Sequence, residues 1–541
     1  MSRQKQRTDK EPTKKVIHRQ RGVYHLAFIY LAMAFTSSCV PSTDEGPDRP
    51  NIIFILADDL GIGDVSCYNP DGRILTPAID ALAQNGAVYT DAHTTSSVCT
   101  PSRYSILTGR YNWRSWLKAG VTTGTSPHLI DTTLMTAASL LRQADYRTSF
   151  VGKWHLGWDW DLKDSTAGLG SGWRKDDFSN IDFTKPIKYG PRSVGFDYSY
   201  ALPASLDIAP YVYVENEQVT AQPDRITIDT SEYGWWRQGP TGADLIHEEV
   251  TPHFFKKAEE LVSEAANSDD PFFLYLALPS PHTPILPSPE WQGKSKFLPY
   301  ADFVMMVDHY IGRLVDLLAT SGQLENTLLI LSSDNGCSPA AGFQKMVENN
   351  HLPSLQYRGH KADIYEGGHR VPFIAHWPKV ITAHTSDQMI SQVDFLATCA
   401  DIAGVTLDTA DGVDSYSLLP LWKDMKAQYN RTASVQHSVD GTFAYRKGTY
   451  KFISHGSSGG WSFPRPSDQE ALDTLPPYQL YNLANDPAES LNLYTSQRDL
   501  AQQMKAELEN IIVNGRSTPG PSQQNDDAHD GNWPQLHFMQ D

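Results

Sequence analysis

Asn51-Ile52-Ile53-Phe54-Ile55-Leu56 is an almost wholly apolar run that leads directly into Ala57-Asp58-Asp59. Such a run, without polar alternation, predicts a strand buried on both faces, as in a parallel sheet covered by helices. Three further runs share the pattern. Residues 147–151 end at Gly152-Lys153-Trp154-His155, residues 271–278 lead to Pro281-His282-Thr283-Pro284, and residues 327–331 end at Ser332-Ser333-Asp334-Asn335-Gly336. Residues 371–376 predict a fifth strand, after a loop carrying Arg358-Gly359-His360-Lys361. Helical patterns over residues 77–84, 134–144, 254–265, 303–318 and 388–402 alternate with these strands. The alternation predicts an α/β fold with a large, mostly parallel sheet sandwiched between helices. Residues 158–240, rich in Gly, Trp, Tyr and Asp, read as insertions on the loop side of that sheet.

The texture changes near Asn430. Short alternating segments at 442–445 and 450–453, then a helical stretch at 500–512, predict a small C-terminal α+β subdomain with an antiparallel sheet. The expected division is a catalytic domain over 49–425, the subdomain over 426–515 and a polar, disordered tail over 516–541. Residues 1–21 are basic and polar, and 23–35 form an apolar segment too short for a membrane span. Residues 1–38 therefore read as a signal peptide, and 39–48 as a tether. Small residues directly before Cys39 resemble a bacterial lipoprotein site, which would lipidate Cys39, anchor the chain to a membrane and place it at the periplasm or cell envelope.

The 541 residues carry 45 Lys+Arg against 63 Asp+Glu, a formal net charge of −18. With no basic footprint, nucleic acid is not an expected partner. An anionic substrate would need a local cationic site or a metal, since the overall field opposes it. The five cysteines do not make a disulfide scaffold; one pair among Cys67, Cys337 and Cys399 is left open.

Ligands of open α/β sheets bind beyond the carboxyl ends of strands, where these polar clusters lie. Asp58, Asp59, Asp334 and Asn335 are hard oxygen donors suited to Ca²⁺ first and Mg²⁺ second. Three carboxylates brought together would repel one another without a cation. Lys153 and His155 are two apart in extended chain and point the same way. His282 is held between prolines. In Cys99-Thr100-Pro101-Ser102-Arg103, Pro101 suits a first helical turn and Gly109 a helix end. That places Cys99 at a helix N-terminus, whose dipole favours an anion.

The Cys-x-Pro-Ser-Arg run, followed by Leu107-Thr108-Gly109-Arg110, resembles the signature of the type I, formylglycine-dependent sulfatases of the alkaline phosphatase superfamily. Lys153-Trp154-His155-Leu156-Gly157 matches a second motif of that family, and the resemblance covers about residues 49 to 500. It implies an alkaline-phosphatase-like sheet and a formylglycine made from Cys99 by a formylglycine-generating or sulfatase-maturing enzyme. It also implies one Ca²⁺ held by Asp58, Asp59, Asp334, Asn335 and residue 99. Arg103 would fix the formylglycine, and Lys153 and Lys361 would contact sulfate oxygens. His155 would take a proton from the formylglycine hydroxyl, and His282 would protonate the leaving oxygen. The implied reaction is sulfate-ester hydrolysis through a covalent sulfo-enzyme, releasing inorganic sulfate.

A sulfated carbohydrate is the expected substrate, given the envelope signal and the aromatic-rich stretch 200–240. Tyr211, Tyr213, Trp235 and Trp236 are candidates for sugar stacking, and Asp207, His360 and His369 for hydroxyl contacts. Two alternatives stand beside this: a phosphodiesterase or phosphonate monoester hydrolase of the same superfamily, and a non-catalytic lipoprotein that binds sulfated glycans. Every catalytic position of the family pattern is filled, which speaks against the second.

Overall fold

The structure, a computed structural model, describes residues 49–169, 177–528 and 531–540. The signal-peptide, tether and Cys39 readings lie outside the described residues. In chain order, the strands of the large sheet are β1 (Asn51–Ala57), β2 (Ala87–Tyr89), β3 (Arg147–Lys153), β4 (Tyr198–Leu202), β5 (Val214–Glu215), β6 (Gln218–Val219), β7 (Phe272–Ala277), β8 (Thr327–Ser333), β9 (Phe373–His376) and β10 (His384–Ser386). Their spatial order is β10-β2-β9-β8-β1-β7-β3-β4-β5-β6. The central strands β8, β1, β7, β3 and β4 are all parallel. β9 runs antiparallel to β8, and β5 antiparallel to β4.

The opening run of apolar residues is buried as its pattern predicts, and its two faces enter different cores. Ile52, Phe54 and Leu56 pack in one core with α2 (Cys99–Thr108), α3 (Ala137–Gln143) and α6 (Phe395–Ala403). Ile53, Ile55 and Ala57 pack in the other with α1 (Pro77–Gln84), α4 (Val250–Ala265) and α5 (Pro299–Thr320). Helices therefore cover both faces, and β1 has no solvent face on which a polar residue would be favoured.

Four antiparallel strands follow, β11 (Ala433–His437), β12 (Phe443–Lys447), β13 (Tyr450–Ile453) and β14 (Gln479–Asn482), paired in sequence order. α7 (Arg498–Val513) lays Ala501, Met504, Leu508 and Ile512 against them, in a cluster that also takes in Tyr111 and Trp113.

Three expectations need correction, and the open question of a cysteine pair is answered. The helix expected at 388–402 begins only at Phe395. Before it, Ile390–Ser391 pairs in parallel with Ala92–His93, and the Asp394 carboxylate accepts from the Ser391 N–H at 3.1 Å, closing a tight turn. Residues 158–240 are more than insertions, since β4 extends the parallel sheet beyond β3; Tyr-Ser-Tyr-Ala-Leu carries no apolar run to announce it. The stretch beyond Gly515 is not a loose tail: Phe538 is buried, its ring 6.0 Å from that of Phe443, and the Asp526 N–H donates to the Arg114 carbonyl. Two aromatic anchors outweigh the polar composition there. Finally, Cys67, Cys99, Cys337 and Cys399 are all free, so no pair forms among Cys67, Cys337 and Cys399.

Arg114 carries a stability prediction. Its guanidinium is fully buried and donates to Asp414 through Nε at 2.6 Å and Nη2 at 2.8 Å, and through Nη1 to Asn525 at 3.0 Å. Asp414→Ala leaves this cation without its counter-charge. The expected cost is roughly 3–5 kcal/mol, read as a lower midpoint in urea or thermal unfolding. A midpoint equal to wild type would show that the pair carries no stability.

Candidate active site

The parallel register sets the site. Ala57 of β1 pairs with Ser333 of β8, so Asp58-Asp59 and Asp334-Asn335 leave neighbouring strands side by side. The Asp59 N–H donates to Asp334 Oδ1 at 3.2 Å, and the Leu60 N–H to Ser333 Oγ at 2.9 Å. Asp59 sits at φ +64°, a left-handed conformation that aspartate adopts more readily than most residues. β3 delivers Lys153 in its last position, and the chain after β7 brings His282. Cys99 is the first residue of α2, its Sγ 3.6 Å from Asp58 Oδ1. The Ala362 N–H donates to the Ser97 carbonyl at 2.8 Å, tying the chain around Lys361 to the chain before Cys99.

Cations and carboxylates interleave. Lys153 Nζ lies 2.5 Å from Asp58 Oδ2, and Lys361 Nζ 2.9 Å from Asp59 Oδ2. Arg103 donates to Asp334 Oδ2 from Nε at 2.9 Å and Nη2 at 2.7 Å, and from Nη1 to the Lys153 carbonyl at 2.9 Å. Burial works against the Asp58 charge, but Lys153, His282, Arg103 and Lys361 outweigh it and hold this carboxyl well below the usual range. Burial and the neighbouring Asp58 charge push Asp334 up to about 6, against the pull of Arg103 and Lys153.

That donor set fits a hard divalent cation. Ligand atoms of Asp58, Asp59, Cys99 and His282 lie within 4.8 Å of one another. Asn335 donates from Nδ2 to Asp59 Oδ1 at 2.6 Å, while its own Oδ1 is buried without a hydrogen-bond partner. A buried amide oxygen left unpaired is costly unless a cation takes it. Burial first, and the Asp58 and Asp59 charges after it, raise the Asp334 carboxyl, and a cation there would favour its charged form.

One histidine has a legible proton state. His155 Nε2 is 2.9 Å from the Thr122 carbonyl, so Nε2 carries the proton and Nδ1 the lone pair. That Nδ1 is buried without a partner. Burial, with the charges of Lys153 and Arg103, holds the imidazole well below its ordinary pKa and hence neutral. His282 commits Nδ1 to the Thr283 carbonyl and presents Nε2 3.6 Å from Asp59 Oδ2. The Cys99 thiol is pushed up to about 12, by burial first, with Asp334 and Asp58 also raising it. Despite its helix N-terminus, Cys99 is thus a neutral thiol at neutral pH and a weak nucleophile as it stands.

A cavity of about 350 Å³ opens above these groups, lined by Cys99, His155, Lys361, His282, Asp207, Arg237 and Trp461 among others. Asp207 binds Arg237 through one carboxylate oxygen. The other, Oδ1, is buried without a hydrogen-bond partner, 3.9 Å from His282 Nδ1.

The other two hydroxyl-contact candidates are not brought to the cavity. His369 is fully buried, its Nδ1 3.0 Å from His93 Nδ1 and its Nε2 3.1 Å from Lys451 Nζ, in a charge network with Glu366. With Lys451, Arg370 and Arg446 already neutralising the carboxylates there, His369 is a packing residue. His360 turns Nδ1 to the Lys361 carbonyl and Nε2 to Ser462 Oγ, away from the lining. The stacking candidates also change: Tyr211 and Tyr213 are buried, and Trp236 stacks on His247 at 4.0 Å. Trp235 is 38% exposed, with the Arg237 guanidinium over its ring. The sequence reading missed Trp461 and Arg237. Trp461 follows Ser457-Ser458-Gly459-Gly460, where no periodicity marks an aromatic as functional.

The family profile described as Sulfatase matches residues 50–405. The chain is 32% identical over 516 residues to the N-acetylgalactosamine-6-O-sulfatase of Bacteroides thetaiotaomicron, covering 86% of this chain and 94% of that enzyme. It is also 32% identical over 462 residues to human arylsulfatase A, covering 82% and 83%. A solved structure from work on glycosaminoglycan metabolism by Bacteroides thetaiotaomicron superimposes with a TM-score of 0.72 at 30% identity, covering 86% of this chain and 99% of the other.

Proposed function

The chain belongs to the sulfatase family, and from that premise we propose that it is an exported, calcium- and formylglycine-dependent sulfatase acting on a sulfated carbohydrate. That it is a sulfuric ester hydrolase follows from the family. The calcium and formylglycine reading rests chiefly on one observation: Asp58 and Asp59 lie beside Cys99 and His282, Asp334 accepts from the Asp59 N–H, Asn335 donates to Asp59 and leaves its amide oxygen unpaired, and Lys153 and Lys361 pair with the carboxylates. The carbohydrate is supported by the N-acetylgalactosamine-6-O-sulfatase relative. Export, with lipidation of Cys39, rests on the basic stretch 1–21 and the apolar segment 23–35.

Calcium, when bound, supplies positive charge against the sulfate oxygens. Formylglycine supplies a geminal diol, one hydroxyl to attack sulfur and a second to expel sulfate afterwards. Asp58, Asp59, Asp334 and Asn335 would hold the metal. Lys361 lines the cavity and Lys153 lies behind it on Asp58, so two ammonium groups favour an anionic ester at residue 99. Arg103, pinned by Asp334 and the Lys153 carbonyl, keeps that charge in place. His155 Nδ1 offers its lone pair to a hydroxyl at residue 99. His282 Nε2 gives a proton to the leaving alcohol.

The direct test is sulfate release by the purified, matured protein over a panel of sulfated mono- and oligosaccharides, with 4-nitrophenyl sulfate and an aryl phosphate diester alongside. Preference for the diester would overturn the sulfatase reading. A mass spectrum of the residue-99 peptide about 18 Da below the thiol form is expected for the aldehyde; full activity with an unmodified thiol would overturn formylglycine.

His282→Ala is expected to slow hydrolysis of an alkyl sulfate by on the order of 10²–10⁴-fold. The loss should shrink for 4-nitrophenyl sulfate, whose leaving group departs without protonation. Equal losses on both esters would remove His282 from the role of acid.

A further inference from the structure

We propose that Trp461 is the sugar platform of this site, its indole face taking the apolar face of the pyranose that carries the sulfate. This deepens the carbohydrate reading above and rests on it. Trp461 is the only Phe, Tyr or Trp among the described residues lining the cavity. It is 44% exposed, although residues 456–460 just before it are buried. A pyranose presents an apolar C–H face and a polar rim. The cavity matches both, with the exposed indole in one place and the polar side chains of Lys361, Arg237 and His282 in another.

The backbone that carries the indole is held in position. The N–H groups of Trp461 and Ser462 both donate to Asp363 Oδ1, at 2.7 and 2.9 Å, and Ser462 Oγ donates to Asp363 Oδ2. Arg465 Nε donates to the Trp461 carbonyl at 2.8 Å, and Ser458 Oγ to the Ser462 carbonyl at 2.7 Å. Gly460 is pressed so closely on the chain after Lys361 that a Cβ there would meet the Ala362 carbonyl oxygen at 2.4 Å. Trp461 is thereby registered to Lys361 through buried chain. A platform whose backbone is fixed before the sugar arrives binds at a lower ordering cost.

The test compares wild type, Trp461→Ala, Trp461→Phe and Phe463→Ala, all matured enzymes. The substrates are the panel monosaccharide that the wild type hydrolyses best, 6-O-sulfated N-acetylgalactosamine being the first tried, and 4-nitrophenyl sulfate. Trp461→Ala is expected to raise KM for the sugar by about five- to tenfold, with kcat within about twofold of wild type. Trp461→Phe should recover most of that loss. Phe463, 69% exposed on the same loop but outside the cavity lining, is the control, and its removal should leave KM unchanged. An unchanged KM in Trp461→Ala, a fall in kcat alone, or an equal rise in KM for Phe463→Ala would each overturn the platform while leaving the carbohydrate reading intact. Wild-type enzyme that hydrolyses 4-nitrophenyl sulfate but no sulfated sugar would overturn the carbohydrate reading and the platform with it.

Discussion

Cys99→Ser is expected to abolish multiple turnover, with a steady-state rate on the order of 10⁴-fold or more below wild type. The substitution is nearly isosteric in a buried position, where Cys99 Sγ lies 3.6 Å from Asp58 Oδ1. The fold should therefore tolerate it. What changes is the count of hydroxyls. Serine has one, enough to attack sulfur when Lys153 and Lys361 neutralise the ester, but it has no second hydroxyl to push sulfate out again. A sulfate ester at position 99 should persist after incubation with 4-nitrophenyl sulfate. The mass of the intact protein measures it, alongside the amount of nitrophenol released per chain. Sustained turnover at near wild-type rate would refute the two-hydroxyl requirement.

Asp334→Asn carries the second large effect, an expected loss on the order of 10²–10³-fold in kcat. Asparagine preserves the volume and one acceptor for Arg103, which a truncation to alanine would strand in a buried site. The variant should therefore separate metal holding from folding. Removing one of three carboxylates weakens a hard-cation site, because each charged oxygen lost lowers affinity. Metal content of the purified protein, measured by mass spectrometry of the elements, is expected to fall well below the wild-type stoichiometry. The thermal midpoint is expected to stay close to wild type. Wild-type calcium content in the variant would take Asp334 out of the ligand set.

The strands that organise the site were legible because parallel strands buried on both faces have no reason to alternate. β1, β7 and β8 announce themselves as apolar runs, and their polar ends mark where a ligand binds. β4 was not legible, since its Tyr-Ser-Tyr-Ala-Leu is buried by the insertions around it rather than by its own hydrophobicity. The direction of β9 was also hidden: the run at 371–376 reads alike in either orientation, and the structure sets it antiparallel to β8. Residues 516–540 read as polar because most of them are, while a few apolar side chains, Trp533, Leu536, Phe538 and Met539, pack into the core beside the antiparallel sheet.

By itself, the sequence determined the strands β1, β3, β7 and β8, the helices on either side and the short clusters Asp58-Asp59, Cys99 to Arg103, Lys153 to His155, His282 and Asp334-Asn335. Each is a local pattern, set by burial on both faces or by side-chain chemistry within a few residues. Only the tertiary structure decided which polar side chains reach the cavity. His369 and Asp207 look alike as candidates in the chain, yet one is packed into a charge network with Lys451 and Glu366 and the other leaves a carboxylate oxygen unpartnered in the cavity wall. Trp461 lies 362 residues after Cys99 and lines the same cavity. The physical reason is that a side chain's surroundings are supplied by distant segments, here the buried Asp363 that holds the Trp461 loop against the chain around Lys361, and no local periodicity carries that information.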